Sequence, residues 1–427
     1  MPSSISTPSI AAGTTTPTTS ASDPPKSYPQ SYPGLYRQLP YEPASSFPAH
    51  PQSTPQQGPW PSSNMPTATP TPSPPPASIP GLTPFQLASF RQNGYLVIPN
   101  FLSGSEVSSL LQTTHALLDR FPLASHPLTC FTTGDESDDD TSYSTNNAKA
   151  KHIGDQYFLT SGNKIHFFFE PDAFIPNSSP PELRKPKALS VNKIGHALHV
   201  LSPPFAQVTV PSTPATADSH NGISTGARNA AIARDLGFRD PRVLQSMVIC
   251  KQPGIGAAVH PHKDSEFLYT DPPSAVGWWI ALQDAGEGNG ALGVWKGSHR
   301  RGNIQRRLVR CIGGEADGGT EFVKWDGPGL AAELAAEARD GQDHGNGDEE
   351  PYEPRDEDFE LLKVQAGSLV LIHGNVLHQS ERNTSDRSRF AYTFHVIEGA
   401  EGWKYDERNW LQPEPGEGFT RLFAKVY

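Results

Sequence analysis

Five short apolar runs constrain this chain more than any other feature. They are Val243–Cys250, Val276–Leu282, Ala291–Trp295, Ser368–Ile372 and Phe390–Ile397. Each has strand length and is rich in β-branched and aromatic residues, and Gly, Asn and Asp punctuate the gaps. Helical patterning comes earlier. Thr83 and Pro84 read as the N-cap and first position of a helix that Phe85, Leu87, Ala88 and Phe90 make apolar and Gly94 stops. Tyr95–Pro99 reads as a strand. Ser105–Phe121 reads as a second amphipathic helix, with Val107, Leu110, Leu111, Leu117 and Leu118 at helical spacing. Helices first and short strands later point to a mainly β protein with flanking helices. The expected core is an antiparallel sandwich or barrel, not alternating βαβ units.

A length of 427 residues would ordinarily suggest about three domains, but the prolines argue otherwise. Of 44 prolines, 21 lie in residues 1–80, where the charged residues are Asp23, Lys26, Arg37 and Glu42. Such a Pro/Ser/Thr stretch cannot bury enough apolar surface to offset its ordering entropy. Residues 1–78 are therefore expected to be a disordered arm, suited to weak partner binding through aromatic-grooved domains. Residues 79–427 then form one domain with inserts near 134–148, 203–225 and 313–357. The first carries the acidic run Gly134–Asp140. The second is Pro, Thr, Ala and Ser, and the third Gly, Glu and Asp. None is expected to build a core.

A net charge of −11 excludes a strongly basic nucleic-acid surface. No window approaches 18 apolar residues, so no membrane span is expected. No signal-peptide pattern opens the chain, and Lys425-Val426-Tyr427 is not the peroxisomal Ser-Lys-Leu type. Cys130, Cys250 and Cys311 are odd in number and far apart, which argues against a disulfide framework. An intracellular, cytoplasmic protein is expected, with the peroxisome left open.

Val259-His260-Pro261-His262-Lys263-Asp264 is the densest ionisable cluster. On extended backbone His262 and Asp264 project from the same face. Imidazole and carboxylate are two ligands of a borderline transition metal, and His378, just after the run Leu371–Ile372, offers a third. Two histidines and one carboxylate leave three positions open, the facial triad of non-haem Fe(II) oxygenases, where a bidentate 2-oxoacid and O2 bind. Arg389 follows His378 by 11 residues. Alternation puts Arg389, Ala391, Thr393 and His395 on one face and Phe390, Tyr392 and Phe394 on the other. A charge backed by an apolar face points into a cavity, where its planar fork can grip the far carboxylate of 2-oxoglutarate.

The pattern extends beyond this cluster. The chain resembles the phytanoyl-CoA dioxygenase family in Leu82-Thr83-Pro84, Asn93–Pro99, Asn192–His199 and Gln245-Ser246-Met247. The resemblance continues through Pro261–Thr270, Asn289–Leu292, Gly297–His299, Val370–Gly374, Ser385–His395 and Asn409–Pro413. It implies a double-stranded β-helix (jelly roll) holding Fe(II) on His262, Asp264 and His378, with 2-oxoglutarate and O2 as co-substrates. It also implies that Arg389 and Ser380 bind the far carboxylate of 2-oxoglutarate, and that Lys193, Met247 and Trp279 line its pocket. The implied reaction hydroxylates a C–H bond of a small organic or acyl substrate while 2-oxoglutarate is decarboxylated to succinate.

His260 supplies a rival reading. His260-Pro261-His262 is the paired-histidine pattern of cupin-type metal sites, catalytic or not, and would leave Asp264 and Arg389 without a role. His196, His199, His299, His373 and His395 are expected to satisfy core hydrogen bonds instead.

Overall fold

The computed structural model describes residues 79–131, 155–211, 223–301, 304–311, 319–324 and 354–423. The expected arm, the acidic insert near 134–148 and most of residues 313–357 lie outside the described residues. The strands that matter for the site are β1 (Tyr95–Ile98), β2 (Ile165–Phe169), β3 (Val191–His196), β4 (Pro241–Lys251) and β5 (Val259–His262). They continue with β6 (Val276–Ala281), β7 (Leu292–Val294), β8 (Arg306–Arg310) and β9 (Thr320–Lys324). The last are β10 (Glu360–Leu362), β11 (Leu369–His373), β12 (His378–Ser380) and β13 (Arg389–Glu398).

The larger sheet runs β1-β11-β6-β13-β4-β3-β2, antiparallel throughout. The smaller runs β10-β7-β12-β5, also antiparallel. The two face each other as a double-stranded β-helix. Between them Trp279, Ala281, Val370, Ile372 and Ala391 of the larger sheet pack with Leu292, Val294 and Leu362 of the smaller.

The apolar runs are continuous because both faces of the larger sheet are buried. Trp278, Ile280, Leu369, Leu371, Phe390, Tyr392 and Phe394 point to the opposite side. There they meet Leu110 and Leu118 of helix Gly104–Arg120, Phe205 and Val208 of helix Pro203–Thr209, and Ile232 of helix Thr225–Asp235. Both N-terminal helices start on capping boxes, Thr83 with Gln86 and Ser103 with Glu106. Gly94 ends the first at φ +80°, a conformation that favours glycine.

Residues 203–225 differ from the expectation of a coreless insert. Pro203–Thr209 is a helix with Phe205 and Val208 buried, and only 212–222 lie outside the described residues. Two prolines at the helix start are compatible with its first turn, and Phe205 and Val208 share one face, a signal the Pro/Thr/Ala composition hides. Thr320–Lys324, inside the third insert, likewise pairs with β8 as a hairpin. Among the described residues, no helix is long and apolar enough to cross a membrane.

Tyr392 tests the two-faced reading of β13. Its hydroxyl donates to Thr209 Oγ1 at 2.6 Å, on the helix side. Tyr392→Phe should lower unfolding free energy by about 1–2 kcal/mol and leave metal affinity unchanged, as read by chemical denaturation and metal titration.

Candidate metal centre

His262 closes β5, and Asp264 opens a short 3-10 turn, Asp264–Glu266. The strand therefore ends between them. Lys263 nonetheless keeps extended backbone (φ −113°, ψ 130°), so the two side chains still project together. His378 opens β12 directly opposite His262. The candidate ligand atoms of His262, Asp264 and His378 all lie within 4.8 Å of one another and could hold a metal ion. Asp264 Oδ1 is 3.8 Å from His262 Nε2 and 3.7 Å from His378 Nε2.

Backbone carbonyls set the tautomers. His262 Nδ1 donates to His260 O at 2.9 Å, and His378 Nδ1 donates to Val376 O at 3.1 Å. Each ring then presents the lone pair of Nε2 toward the shared centre. Two neutral imidazoles and a carboxylate suit a borderline divalent transition metal such as Fe(II).

His260 is not part of this cluster. Across the pair, Ser380 faces Val259 while His378 faces His262, so β5 carries an extra residue and bulges. The bulge turns His260 out, where it is exposed. The paired-histidine reading therefore fails on geometry, and the carbonyl of His260, not its ring, serves the site.

The fourth residue of the site is His395. Its Nε2 lies 3.3 Å from Asp264 Oδ2. Gln245 Nε2 donates to His395 Nδ1 at 3.3 Å, which leaves the His395 proton on Nε2, directed at the carboxylate. Gly277 makes room for this contact, since a Cβ there would lie 3.1 Å from Asp264 Oδ2. Burial alone would raise the Asp264 carboxyl. His395, His378 and His262 outweigh it and hold the group well below the usual carboxylate range. Expected among the core histidines, His395 instead lies on the cavity face, as its alternation with Arg389 implies. His199 and His299 do fill core roles, on Ser246 Oγ and Arg91 O.

A cavity of about 160 Å³ connects this centre to the other expected residues, and Lys193, Met247, Trp279, Ser380 and Arg389 all line it. In register, Met247 and Trp279 flank Thr393, and Lys251 faces Arg389. Arg389 is fully buried. Its Nη2 donates to Gly290 O at 2.6 Å, while Nε and Nη1 have no partner among the described residues. The guanidinium lies 5.3 Å from the Trp279 ring. Burial lowers its pKa to about 10, so it stays charged at neutral pH.

Two neighbours were not singled out from the sequence. Lys251 Nζ donates to the carbonyls of Ala257, Glu381 and Ser380 at 2.5, 2.7 and 3.4 Å, tying β4 to the end of β12. Glu170 is the buried carboxylate nearest these cations, and its Oε2 accepts from Asn192 Nδ2 at 2.7 Å and Ala257 N at 3.1 Å. Lys193 sits over the Phe131 ring at 3.1 Å, and burial pushes its ammonium down to about 7 against the pull of Glu170. Charge at this end of the cavity is thus predominantly positive, suited to an anion.

The family model "Phytanoyl-CoA dioxygenase (PhyH)" matches residues 90–391. A protein named phytanoyl-CoA dioxygenase from Arabidopsis thaliana is 38% identical over 338 residues, 78% of this chain and 96% of that one. Phytanoyl-CoA dioxygenase domain-containing protein 1 from Bos taurus is 39% identical over 348 residues, covering 80% and 99%. Among solved structures, EctD from S. alaskensis with 2-oxoglutarate and 5-hydroxyectoine aligns at 18% identity with a TM-score of 0.40, over 74% of this chain and 76% of that one. With a family model spanning most of the described domain and relatives matched over nearly their whole length, the chain belongs to the phytanoyl-CoA dioxygenase family.

Proposed function

We propose that the protein is an Fe(II)- and 2-oxoglutarate-dependent dioxygenase that hydroxylates a C–H bond of a small organic or acyl substrate. The observation that carries this reading is the pairing of two features in one cavity. His262, Asp264 and His378 converge on it, and a buried Arg389 lines it with two guanidinium nitrogens unpartnered among the described residues. When bound, the iron and 2-oxoglutarate supply the oxidising power, so that with O2 the co-substrate becomes succinate and CO2 and one oxygen atom enters the substrate.

The chain's own residues then divide the work. His262, Asp264 and His378 would hold the iron. Arg389 and Ser380 take the far carboxylate of 2-oxoglutarate, which satisfies the orphaned Nε and Nη1. Lys251 holds the backbone that carries Ser380. His395 occupies Asp264 Oδ2 and so keeps Oδ1 as the metal-facing oxygen. Trp279, Met247 and Leu292 wall the co-substrate from water.

The deciding assay measures succinate release from 2-oxoglutarate by Fe(II)-loaded protein exposed to O2, beside direct 2-oxoglutarate binding under anaerobic conditions. Arg389→Ala should weaken 2-oxoglutarate binding by roughly 30- to 100-fold, the worth of a charge-assisted bidentate pair, with metal affinity intact. His378→Ala should abolish both metal binding and turnover. Failure of the wild type to bind 2-oxoglutarate, with metal bound, would sink the reading.

A second prediction concerns His395. His395→Phe removes the hydrogen bond to Asp264 and should weaken metal affinity by roughly 10- to 100-fold, measured by titration with Co(II). The Co(II) absorption spectrum should also change, because Asp264 is then free to bind through both oxygens. An unchanged spectrum and affinity would assign His395 to packing alone.

A further inference from the structure

The end of the cavity away from Arg389 is built differently. Along β13, Arg389 and His395 are separated by roughly 20 Å at about 3.4 Å per residue. Gln245 faces His395 and His196 faces Ser246, so both belong to the distal end. Phe158, Trp410, Phe267, Leu268 and Leu308 line the cavity with them. Phe158 stacks on Trp410 at 4.3 Å, and the His196 ring meets Trp410 edge-on at 5.1 Å. Phe267 stands edge-on to His262 at 5.7 Å, which ties this wall to the metal centre.

The polar atoms in this wall share one character. Ser161 Oγ donates to Phe158 O at 2.6 Å, so its contact with His196 Nδ1, at 2.7 Å, must be one in which the histidine donates. His196 Nε2 is then a lone-pair acceptor, and burial keeps the ring neutral, with its pKa well below the usual histidine value. Gln245 directs one amide N–H at His395, and its Oε1 is buried without a partner among the described residues. Lys193, opposite Ile249 in register, holds its ammonium on the Phe131 ring, which meets Phe158 at 6.4 Å, and its charge reaches His196.

We infer that this distal chamber takes a largely apolar, ring-bearing molecule that carries a hydroxyl or N–H donor, received by His196 Nε2 and Gln245 Oε1. Flat aromatic walls favour a ring over a flexible chain, because offset stacking adds to burial. Unpaired acceptors reward a donor. This rests on the dioxygenase reading for what happens to the ligand, but not for whether it binds.

The test compares three probes of one shape: 2-naphthol, naphthalene and 2-naphthoate. Equilibrium dialysis against the full-length protein, loaded with Zn(II) and 2-oxoglutarate and also metal-free, reads binding without any turnover. We expect 2-naphthol to bind roughly five- to ten-fold tighter than naphthalene and tighter than 2-naphthoate. His196→Phe, which keeps the ring and removes the acceptor, should shrink the naphthol advantage to about two-fold or less while naphthalene still binds. Tightest binding by 2-naphthoate, or no gain from the hydroxyl in the wild type, would overturn the inference. Loss of 2-oxoglutarate binding would instead count against the dioxygenase reading, and the order of the three probes would still decide this one.

Discussion

A guanidinium buried beyond the reach of water must find negative charge, or the fold carries its desolvation uncompensated. Arg389 is in that position, and much of the molecule can be understood from how its surroundings answer it. A single carbonyl, Gly290 O, meets one of its nitrogens. Lys251, its register partner on β4, is occupied with holding backbone, and burial beside Arg389 pushes its ammonium well below the usual lysine value. Glu170 is close enough to moderate both cations but spends its own oxygen on Asn192 and Ala257. The deficit that remains matches a carboxylate presented along the cavity axis. Burial of the charge is possible only because β13 is covered on its reverse face by Phe390, Tyr392 and Phe394 packed under helices.

The metal-facing groups follow a second rule, that hydrogen bonds to the backbone decide what a side chain offers. Neither His262 nor His378 chooses its tautomer freely, since a carbonyl two residues earlier claims Nδ1 in each. His395 is fixed in the same manner by a side chain, Gln245. A cluster of three imidazoles around one carboxylate could exist in many protonation patterns, and these contacts select one of them before any ion arrives.

Much of this could be read from the amino-acid sequence because period-2 alternation reports directly on faces. Phe390-Ala391-Tyr392-Thr393-Phe394-His395 announces a strand with a greasy side and a working side, and the fold obeys it. His262, Asp264 and His378 were visible because extended backbone at Lys263 preserves the two-residue projection even where the strand has ended. What escaped depends on register and bulges, which pairwise spacing does not encode. Nothing local reveals that Lys251 faces Arg389, or that an extra residue in β5 turns His260 outward. Glu170 escaped for a related reason, since a lone carboxylate after an apolar strand looks like a surface residue until the strands close around it. The helix Pro203–Thr209 is hidden by composition, because two prolines, Gln207 and Thr209 dilute the signal from Phe205 and Val208.

Arg389 and His395 lie on one uninterrupted strand, and that continuity has a consequence for chemical selectivity. The interval between the cationic terminus and the carboxylate held by His395 is measured off by the pleat of the backbone, not by flexible loops. A pleated strand behaves as an inextensible gauge at this scale. Discrimination between dicarboxylic acids differing by one methylene would then be a property of main-chain geometry. Substitutions lining the cavity could alter how tightly such a molecule is held without altering which length fits.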